Sequence, residues 1–275
     1  MRDFMKKVCY LTRIKDEEKL IPYHLLYYYN MGIRNFYITF NNSNAETRKA
    51  VDYFAIKKMD VILYVFEEEG LAYNQVEVFD EMSDFAYSNG HVWQIPSDAD
   101  EFLVLKKGSL FKLLKKYDSY DYGFINFRWI DYMRTDKDDN DDPNYFTMCK
   151  YREPSGRPQS KIIYKWSPGC KHGHGNHLLI AKRVKMDEIG IEQGFFAHFA
   201  NRSFEQVMKK RIRVGEAFIL KYGEDCQKPQ ALEYRKWQKE GKQYFVDQWE
   251  RICRERKEHF SRYIYDPIDP KMFIA

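Results

Sequence analysis

The sequence predicts an α/β fold in which a mixed, Rossmann-like sheet is flanked by helices and followed by a helical C-terminal extension. Across the first 105 residues, short runs rich in β-branched and aromatic residues alternate with longer amphipathic stretches, in the order β-α-β-α-β-α-β. Beyond residue 223 the pattern is helical and charged. We therefore predict a domain at 1–223, with halves at 1–105 and 106–223, and an extension at 224–275.

The first half supplies the strands and helices of the predicted sheet. The strands are predicted at Val8–Thr12, Phe36–Phe40, Val61–Phe66 and Val92–Pro96. Between them, apolar side chains recur every three or four residues, which predicts helices at Glu17–Met31, Ala45–Lys58 and Tyr73–Ser88. Gly32 and the pair Asn89-Gly90 stop the first and third of these helices.

The second half continues with further strands and ends in helices. Strands are predicted at Tyr122–Trp129, Lys161–Trp166 and Phe195–His198, and the acidic loop Asp136–Asp142 is predicted to be mobile. Ser203, followed three residues later by Gln206, predicts a capping box that starts a basic helix ending at Leu220. The extension is predicted to be helical from Pro229 to Phe260.

Composition and charge exclude several classes of protein. No apolar run approaches the roughly 18 residues that a membrane span needs, and the N-terminus lacks a secretory apolar stretch, so a cytoplasmic protein is predicted. Five scattered cysteines predict free thiols rather than disulfides or a zinc ribbon. A net charge of +4 does not demand nucleic acid, and no nucleic-acid motif accompanies the basic and aromatic residues near the C-terminus.

The ends of three predicted strands carry polar residues suited to a ligand. Arg13, Asn41 and Asp98 each follow one of these strands. Ligands of open α/β sheets bind outside the carboxyl ends of the strands, so we expect the three side chains to line one cleft.

The sharpest motif is the triplet Asp98-Ala99-Asp100, directly after an apolar strand. Two carboxylates one residue apart can place oxygens on one hard divalent cation, which would then bind phosphate oxygens. Such a triplet also arises by chance, as Asp139 and Asp141 show, and the alternative is an Asx-turn in which Asp98 caps its own loop.

These motifs together resemble a known family. Arg13 after the first strand, Asn41-Asn42-Ser43 after the second, Gln75 in the third helix and the run Trp93–Phe102 are similar to family 2-like glycosyltransferases of the GT-A fold. The Asp-x-Asp-Glu-Phe form resembles the subgroup that is also similar to family 92. The similarity covers about the first 105 residues and continues more weakly to Gly215 through the element His198–Ser203.

The resemblance implies a GT-A-like fold and a metal-dependent glycosyltransferase of the hexosyltransferase type. It would move a sugar from a nucleotide-sugar donor, with a UDP-sugar favoured, to a hydroxyl of a glycan or lipid-linked glycan, with inversion, in the synthesis of a polysaccharide or lipopolysaccharide-type glycan. Residues 1–105 would bind the donor and 106–223 the acceptor. Asp98 and Asp100 would hold Mn²⁺ or Mg²⁺, and Asp98 would also meet the donor ribose.

The donor would contact further side chains at the same sheet edge. Arg13, Asn41 and Asn42 would line the nucleotide pocket, although the family more usually has an aspartate at the asparagine positions. An asparagine can still bond a uracil edge. Gln75 would face the donor or, alternatively, solvent, and Lys161 would offset diphosphate charge or belong to a solvated strand face.

A loop rich in glycine and histidine, Cys170–His177, provides candidate metal ligands. In this fold a C-terminal histidine often adds a ligand to the nucleotide-bound cation, and His177 is the first choice, followed by His174 and His198. A structural zinc site would need a fourth ligand beside His172, His174 and His177. Each histidine is alternatively a surface or core residue.

Inverting transfer also needs a carboxylate that takes the proton of the acceptor hydroxyl. Asp131, just after the strand that ends at Trp129, is the candidate base, and Glu153 is the second choice. Trp129 would stack on the acceptor sugar or belong to the core.

The basic run Lys209–Arg213 admits two interpretations: contact with the inner face of a membrane where lipid-linked acceptors lie, or a solvated helix face. The alternative to an enzyme is a non-catalytic module on the same fold that binds a nucleotide or a glycan.

Overall fold

The computed structural model describes residues 2–70, 74–119, 123–135, 144–181 and 185–274. The predicted acidic loop Asp136–Asp142 lies outside these residues, as do the predicted first residues of one helix and one strand, Tyr73 and Tyr122. No helix within the described ranges combines the length and apolar character needed to cross a bilayer.

The first half alternates strands and helices as predicted. Its elements are α1 (Arg2–Met5), β1 (Val8–Ile14), α2 (Ile21–Asn30), β2 (Asn35–Asn41), α3 (Ala45–Lys57), β3 (Ile62–Glu68), α4 (Gln75–Ser88), β4 (Trp93–Pro96) and β5 (Glu101–Leu105). Helix α3 begins where Asn44 Oδ1 accepts from the Thr47 amide at 2.8 Å. Helix α2 begins four residues after the predicted Glu17, because Pro22 is tolerated only in a first helical turn.

The second half contains one long strand and several short ones, some of which the sequence pattern does not reveal. In chain order, the elements of this half are α5 (Leu110–Tyr117), β6 (Gly123–Met133), α6 (Tyr145–Met148), β7 (Tyr151–Arg152), β8 (Ser160–Lys165), β9 (Lys171–His172), a 3-10 turn at His174–Asn176, β10 (Leu179–Ile180), β11 (Lys185–Ile189) and β12 (Gly194–His198).

The C-terminal part is helical as predicted, but it is broken once more than predicted. Helices α7 (Phe204–Tyr222), α8 (Pro229–Glu240) and α9 (Lys242–Glu258) are followed by 3-10 turns at Phe260–Arg262 and Pro270–Phe273 that flank β13 (Ile264–Tyr265). Gly241 separates α8 from α9, because its positive φ of 70° cannot continue a right-handed helix and is readily adopted only by glycine. Ser203 Oγ caps α7 by accepting from the Gln206 amide at 3.2 Å.

The sheet is mixed, and its order is β3-β2-β1-β4-β8-β6-β7-β13. Strands β1, β2, β3 and β4 are parallel, whereas β8 is antiparallel to both β4 and β6. Strand β12 lies parallel to β6 and antiparallel to β5, which connects the residues after β4 to the second half. The predicted fold class, a Rossmann-like mixed sheet with a helical C-terminal extension, is confirmed.

Apolar side chains cover both faces of the sheet. On one face, Leu25 and Tyr28 of α2 and Phe54 of α3 pack against the strands in a large cluster rich in aromatic rings. On the other, Phe79 and Met82 of α4 pack against β1 and β2. Because both faces are buried, the parallel strands expose their polar groups to ligands only at the strand ends.

Candidate active site

A cavity of about 270 Å³ lies at the carboxyl ends of β1, β2 and β4, where α7 crosses the sheet edge. It brings together seven of the predicted site residues: Arg13, Asn41, Gln75, Asp98, Asp100, Lys161 and His177. It does not include Asn42, His174, His198, Asp131 or Glu153.

The Arg13 and Asn41 side chains meet at one end of this cavity. The Arg13 guanidinium donates to Glu68 through Nε at 2.5 Å and through Nη2 at 2.9 Å. With its amide oxygen facing the guanidinium, Asn41 accepts from Arg13 Nη1 at 3.1 Å. Asn42, at φ 46°, lies outside the cavity, and its amide donates to the Gly70 carbonyl. The adjacent asparagines therefore occupy different environments.

The loop that carries Asp98 and Asp100 is held from behind by hydroxyl groups. Ser97 Oγ donates to the Glu101 carbonyl at 3.0 Å, and the Tyr28 hydroxyl reaches the same carbonyl at 3.4 Å. The Asp98 carboxylate accepts from Gln75 Nε2 at 3.4 Å. Asp98 therefore faces the cavity and Gln75, and its side chain does not cap its own loop as the Asx-turn alternative requires.

Lys161, on β8, joins the acidic loop to the histidine loop. Its buried ammonium lies 2.8 Å from Glu101 Oε1 and 3.6 Å from Asp98 Oδ2, and it donates to the Gly175 carbonyl at 2.6 Å. Burial lowers the pKa of Lys161, but the Glu101 and Asp98 carboxylates raise it by more, so it stays charged. The solvated strand face considered for Lys161 is therefore wrong.

Asp100 is 3% exposed and pairs with Lys210 of α7, whose Nζ lies 2.7 Å from Asp100 Oδ2. Burial raises the pKa of Asp100, but Lys210, His198 and Arg202 together lower it well below the ordinary range, so this carboxyl is ionised. Arg202, which acts on Asp100 from nearby, pairs with Glu17 at 3.1 Å. Lys210 and Arg202 thus supply the positive charge that a buried carboxylate requires.

Three buried groups next to the cavity are close enough to hold one cation. One ligand atom each from Asp100, Glu101 and His198 lies within 4.8 Å of the others, and within the described ranges this is the one such group of histidine, cysteine or acidic residues. Two carboxylates and an imidazole suit Mn²⁺ or Mg²⁺, with the imidazole favouring Mn²⁺. The residues present therefore fit the implied metal, with Glu101 as a ligand candidate that the motif alone did not indicate.

Asp131 orients the imidazole of this group. Its Oδ1 lies 2.6 Å from His198 Nδ1, and its Oδ2 lies 2.8 Å from Arg157 Nε. Burial lowers the pKa of His198, which keeps the ring neutral at pH 7, so Nδ1 donates to Asp131 and Nε2 is left as an acceptor. At many metal sites, a histidine that binds the metal through one ring nitrogen donates from the other to a carboxylate.

The predicted base residues lie together, but away from the cavity at the strand ends. Asp131 and Glu153 line a separate cavity of about 150 Å³, and Glu153 lies 3.9 Å from Arg262. Burial raises the pKa of Asp131, but His198 and Arg157 lower it by more, which weakens this carboxylate as a base.

The histidine loop divides into three environments. His177 lines the cavity, donates from Nδ1 to the Ser160 carbonyl at 2.6 Å and lies against Trp129, whose ring centroid is 5.0 Å away. His174 is exposed. His172 is buried between Asp80 and Tyr164, with its Nδ1 2.9 Å from Asp80 Oδ1. The three imidazoles do not converge, so a shared zinc is not supported.

The sequence pattern missed the contribution of α7. Lys210 and Arg213, three residues apart and therefore on one helix face, line the cavity, while Arg211 pairs with Glu233 and Lys221 with Glu77. The basic run Lys209–Arg213 was the available signal, but which face it presents to the sheet depends on tertiary packing. Gln230 of α8 also lines the cavity, so the extension contributes to the site.

Comparisons with known proteins leave the family open. No family model matches the chain, and no curated protein matches it. The chain is similar in structure to mannosyltransferase PcManGT from Pyrobaculum calidifontis, in complex with GDP-Man and Mn²⁺, at 18% identity and a TM-score of 0.35, over 44% of this chain and 35% of that one. It is also similar to HddC from Yersinia pseudotuberculosis, at 10% identity and a TM-score of 0.35, over 74% and 99%.

The chain therefore spans about a third of the length of that mannosyltransferase. At these identities and TM-scores, the similarity assigns neither a family nor an activity to this chain.

Proposed function

We propose that this protein is a metal-dependent glycosyltransferase that transfers a sugar from a nucleotide-sugar donor to a glycan hydroxyl. One observation carries the proposal: the Asp98 and Asp100 loop shares a single cavity, at the carboxyl ends of the parallel strands, with five cationic side chains. These are Arg13, Lys15, Lys161, Lys210 and Arg213. Carboxylates for a divalent cation beside cations for a diphosphate are the groups that binding and cleaving a nucleotide-sugar require.

The donor would lie along the strand ends. Arg13 and Asn41 are the groups for the nucleoside, and an amide that can both donate and accept suits a uracil edge, which favours a UDP-sugar. Gln75, which donates to Asp98 at 3.4 Å, would bond the ribose or fix Asp98 against it.

The metal would be held by Asp100 and His198, with Asp98 and Glu101 beside them and His177 within the same cavity. When bound, Mn²⁺ or Mg²⁺ would neutralise the diphosphate that leaves as the glycosidic bond breaks. The remaining negative charge of the diphosphate would be offset by cationic side chains of the protein. Lys210 and Arg213 on α7 and Lys161 on β8 line the cavity on two sides. His174 is exposed and is the weakest of the proposed ligands.

The acceptor hydroxyl would need a group that takes its proton. Inversion would require a carboxylate beside the acceptor hydroxyl, and Asp131 and Glu153 remain the proposed groups. Since both Asp131 oxygens are engaged, Asp131 is better suited to orient His198 than to take a proton, and Glu153 stays the second proposed base. The proposed acceptor is a glycan or lipid-linked glycan of a polysaccharide or lipopolysaccharide type.

Nucleotide binding in the presence of metal tests the proposal. The purified chain is screened by thermal shift against UDP, GDP, CDP, ADP and dTDP, each with and without Mn²⁺. We expect stabilisation by one nucleotide, UDP, only with Mn²⁺. The Asp100→Asn variant should lose this shift, while Asp52→Asn, on the exposed face of α3, should retain it.

Sugar nucleotides of the base that binds are then tested for turnover with glycan acceptors. Binding without turnover of any donor would favour the non-catalytic module. If no nucleotide shifts the unfolding temperature with metal present, the proposed function is refuted. If activity survives EDTA, its metal dependence is refuted.

A further inference from the structure

A second, larger cavity of about 760 Å³ adjoins the first. The two share four lining residues, Lys15, Glu17, Lys210 and Arg213, so a molecule in the second cavity lies next to a donor in the first. Helix α7 and the segment between β1 and α2 form its walls. On the proposed function, this is where an acceptor can reach the transferred sugar.

The walls of the second cavity carry an excess of positive charge. Seven lysine and arginine side chains line it, against four aspartate and glutamate side chains. Three of the four acids already have partners: Glu17 pairs with Arg202 at 3.1 Å, Asp16 Oδ1 accepts from the Asn44 amide at 2.9 Å, and Glu18 accepts from Asn44 Nδ2 at 3.1 Å. Glu17 and, at 3.6 Å, Asp16 therefore offset Arg202 and Arg213, and leave Lys15, Lys19 and Lys209 without an ion pair among the described residues.

Several of the cations have no such partner. Within the described residues, the side chains of Lys15, Lys19 and Lys209 make no hydrogen bond and no ion pair. Burial and the neighbouring Arg213 both lower the pKa of Lys15, which means that its charge is poorly compensated. An anion bound beside Lys15 would relieve its repulsion with Arg213.

The same walls offer neutral polar groups. Both polar atoms of the Gln206 side-chain amide are buried and lack a hydrogen-bond partner, as does Nε of Arg202. Buried polar groups without partners are uncommon, because each costs the lost hydrogen bonds to water. Hydroxyl groups of a sugar, which donate and accept, are suitable partners for an amide.

We propose that the second cavity binds an acceptor that carries a phosphate group, with Lys15, Lys19 and Lys209 holding the phosphate. This inference rests on the proposed function, because only a transferase has an acceptor. Binding of a phosphorylated sugar can nevertheless be measured without transfer. The phosphate would come either from a soluble phosphorylated glycan or from the headgroup of a lipid.

The test compares matched probes by isothermal titration calorimetry on the whole chain. Methyl glucoside 6-phosphate should bind about tenfold more tightly than methyl glucoside, because its phosphate adds about one charge-assisted hydrogen bond. In the double variant Lys19→Ala/Lys209→Ala that preference should fall below about threefold. Lys49→Ala, an exposed lysine of α3 that lines neither cavity, should keep it.

A sedimentation arm separates the two sources. Binding to phosphatidylglycerol vesicles but not to phosphatidylcholine vesicles, lost in the double variant, identifies a lipid-borne phosphate, whereas binding of the soluble probe alone identifies a phosphorylated glycan. Equal affinity for both glucosides together with no vesicle binding overturns the inference, and so does a double variant that behaves as the wild type.

Nucleotide binding separates this inference from the proposed function. Lys19 and Lys209 do not line the first cavity, so the double variant should retain its affinity for UDP with Mn²⁺ to within about twofold. A chain that binds the phosphorylated probe but no nucleotide refutes the proposed function alone. A chain that transfers sugar equally well to neutral and phosphorylated acceptors refutes this inference alone.

Discussion

The ammonium of Lys210 lies 2.7 Å from Asp100 Oδ2 and so holds the carboxylate that the proposed metal would use. Lys210 and that metal would therefore compete for one carboxylate. Because each would need the ionised carboxylate, Lys210 would have to leave Asp100 when a metal is bound there, and its ammonium would then be available to the diphosphate.

Lys210→Met is therefore expected to change metal binding and catalysis in opposite directions. Mn²⁺ affinity should rise about tenfold, because its competitor is gone, while kcat should fall about a hundredfold, because a diphosphate contact is lost. Mn²⁺ titration and steady-state kinetics measure the two effects. Lys49→Met is the matched control on an exposed helix face. Unchanged or weaker Mn²⁺ binding in Lys210→Met would contradict the competition.

The Lys161 and Glu101 pair should be strongly coupled in stability. Both side chains are buried, and their charged atoms lie 2.8 Å apart. Lys161→Met alone should lower the free energy of unfolding by about 3 kcal/mol, because burial already raises the pKa of Glu101 to about 8, and without Lys161 this side chain must either take up a proton or stay buried as an unpaired charge. The double variant Lys161→Met/Glu101→Gln should cost less than the sum of the single variants. Denaturant unfolding of all four proteins measures this, and additivity within about 0.5 kcal/mol would refute the coupling.

Asp266 should make stability depend on pH at the acid end. It accepts from Arg152 Nε at 2.7 Å and pairs with Lys106. Burial raises its pKa, but Lys106 and Arg152 lower it by more, so the folded pKa lies below the unfolded value of about 3.9. Its contribution is therefore present above pH 4 and is lost as pH falls through the folded pKa.

Asp266→Asn should consequently lower the free energy of unfolding by about 2 kcal/mol at pH 7, and the difference from wild type should shrink on acidification towards pH 2. Thermal unfolding across this range measures it. Asp52→Asn, an exposed side chain, should show no such pH-dependent difference. A constant difference for Asp266→Asn at every pH would show that its charge does not contribute.

Gly215 should control the position of α7. A Cβ at this residue would lie 2.4 Å from Tyr234 Cβ and 2.6 Å from the Gln230 carbonyl, so α7 and α8 approach more closely than a side chain permits. Gly215→Ala should lower the free energy of unfolding by about 1–2 kcal/mol despite its better helix propensity. It should also weaken nucleotide binding, because Lys210, Arg213 and Gln230 line the same cavity.

Chemical denaturation and UDP titration follow the two effects of Gly215→Ala. Gly215→Ala/Tyr234→Ala keeps the Cβ contact, because alanine retains its Cβ, so only part of the stability should return. A Gly215→Ala protein as stable as wild type would show that the two helices can move apart freely.

Local sequence patterns predicted the first half well because its strands and helices alternate regularly. The strand ends that carry Arg13, Asn41 and Asp98 do lie around one cavity, since parallel strands point their carboxyl ends to one edge. The second half was harder, because β7, β9 and β10 have only two residues each, too few to show a period of two.

The candidate site was predicted only where it depends on short motifs. The motif itself contains Asp98 and Asp100, and a predicted strand carries Lys161. By contrast, Lys210 lies 110 residues from Asp100 in the sequence, and tertiary packing decides which face of its helix points to the site. Glu101 was noted as part of the motif, while its closeness to His198 arises from the antiparallel pairing of β5 and β12. Long-range contacts of this kind leave no local pattern.

The ring of Phe273, from the last 3-10 turn, lies against Tyr27 and Phe102, with ring centroids 5.3 and 5.8 Å away. Asn30 holds the same turn by donating to the Met272 carbonyl at 3.0 Å. During synthesis, the first half of the sheet leaves the ribosome long before this ring does. The nascent chain must therefore carry an unfinished core, with α2 exposed around Tyr27, until residue 273 emerges.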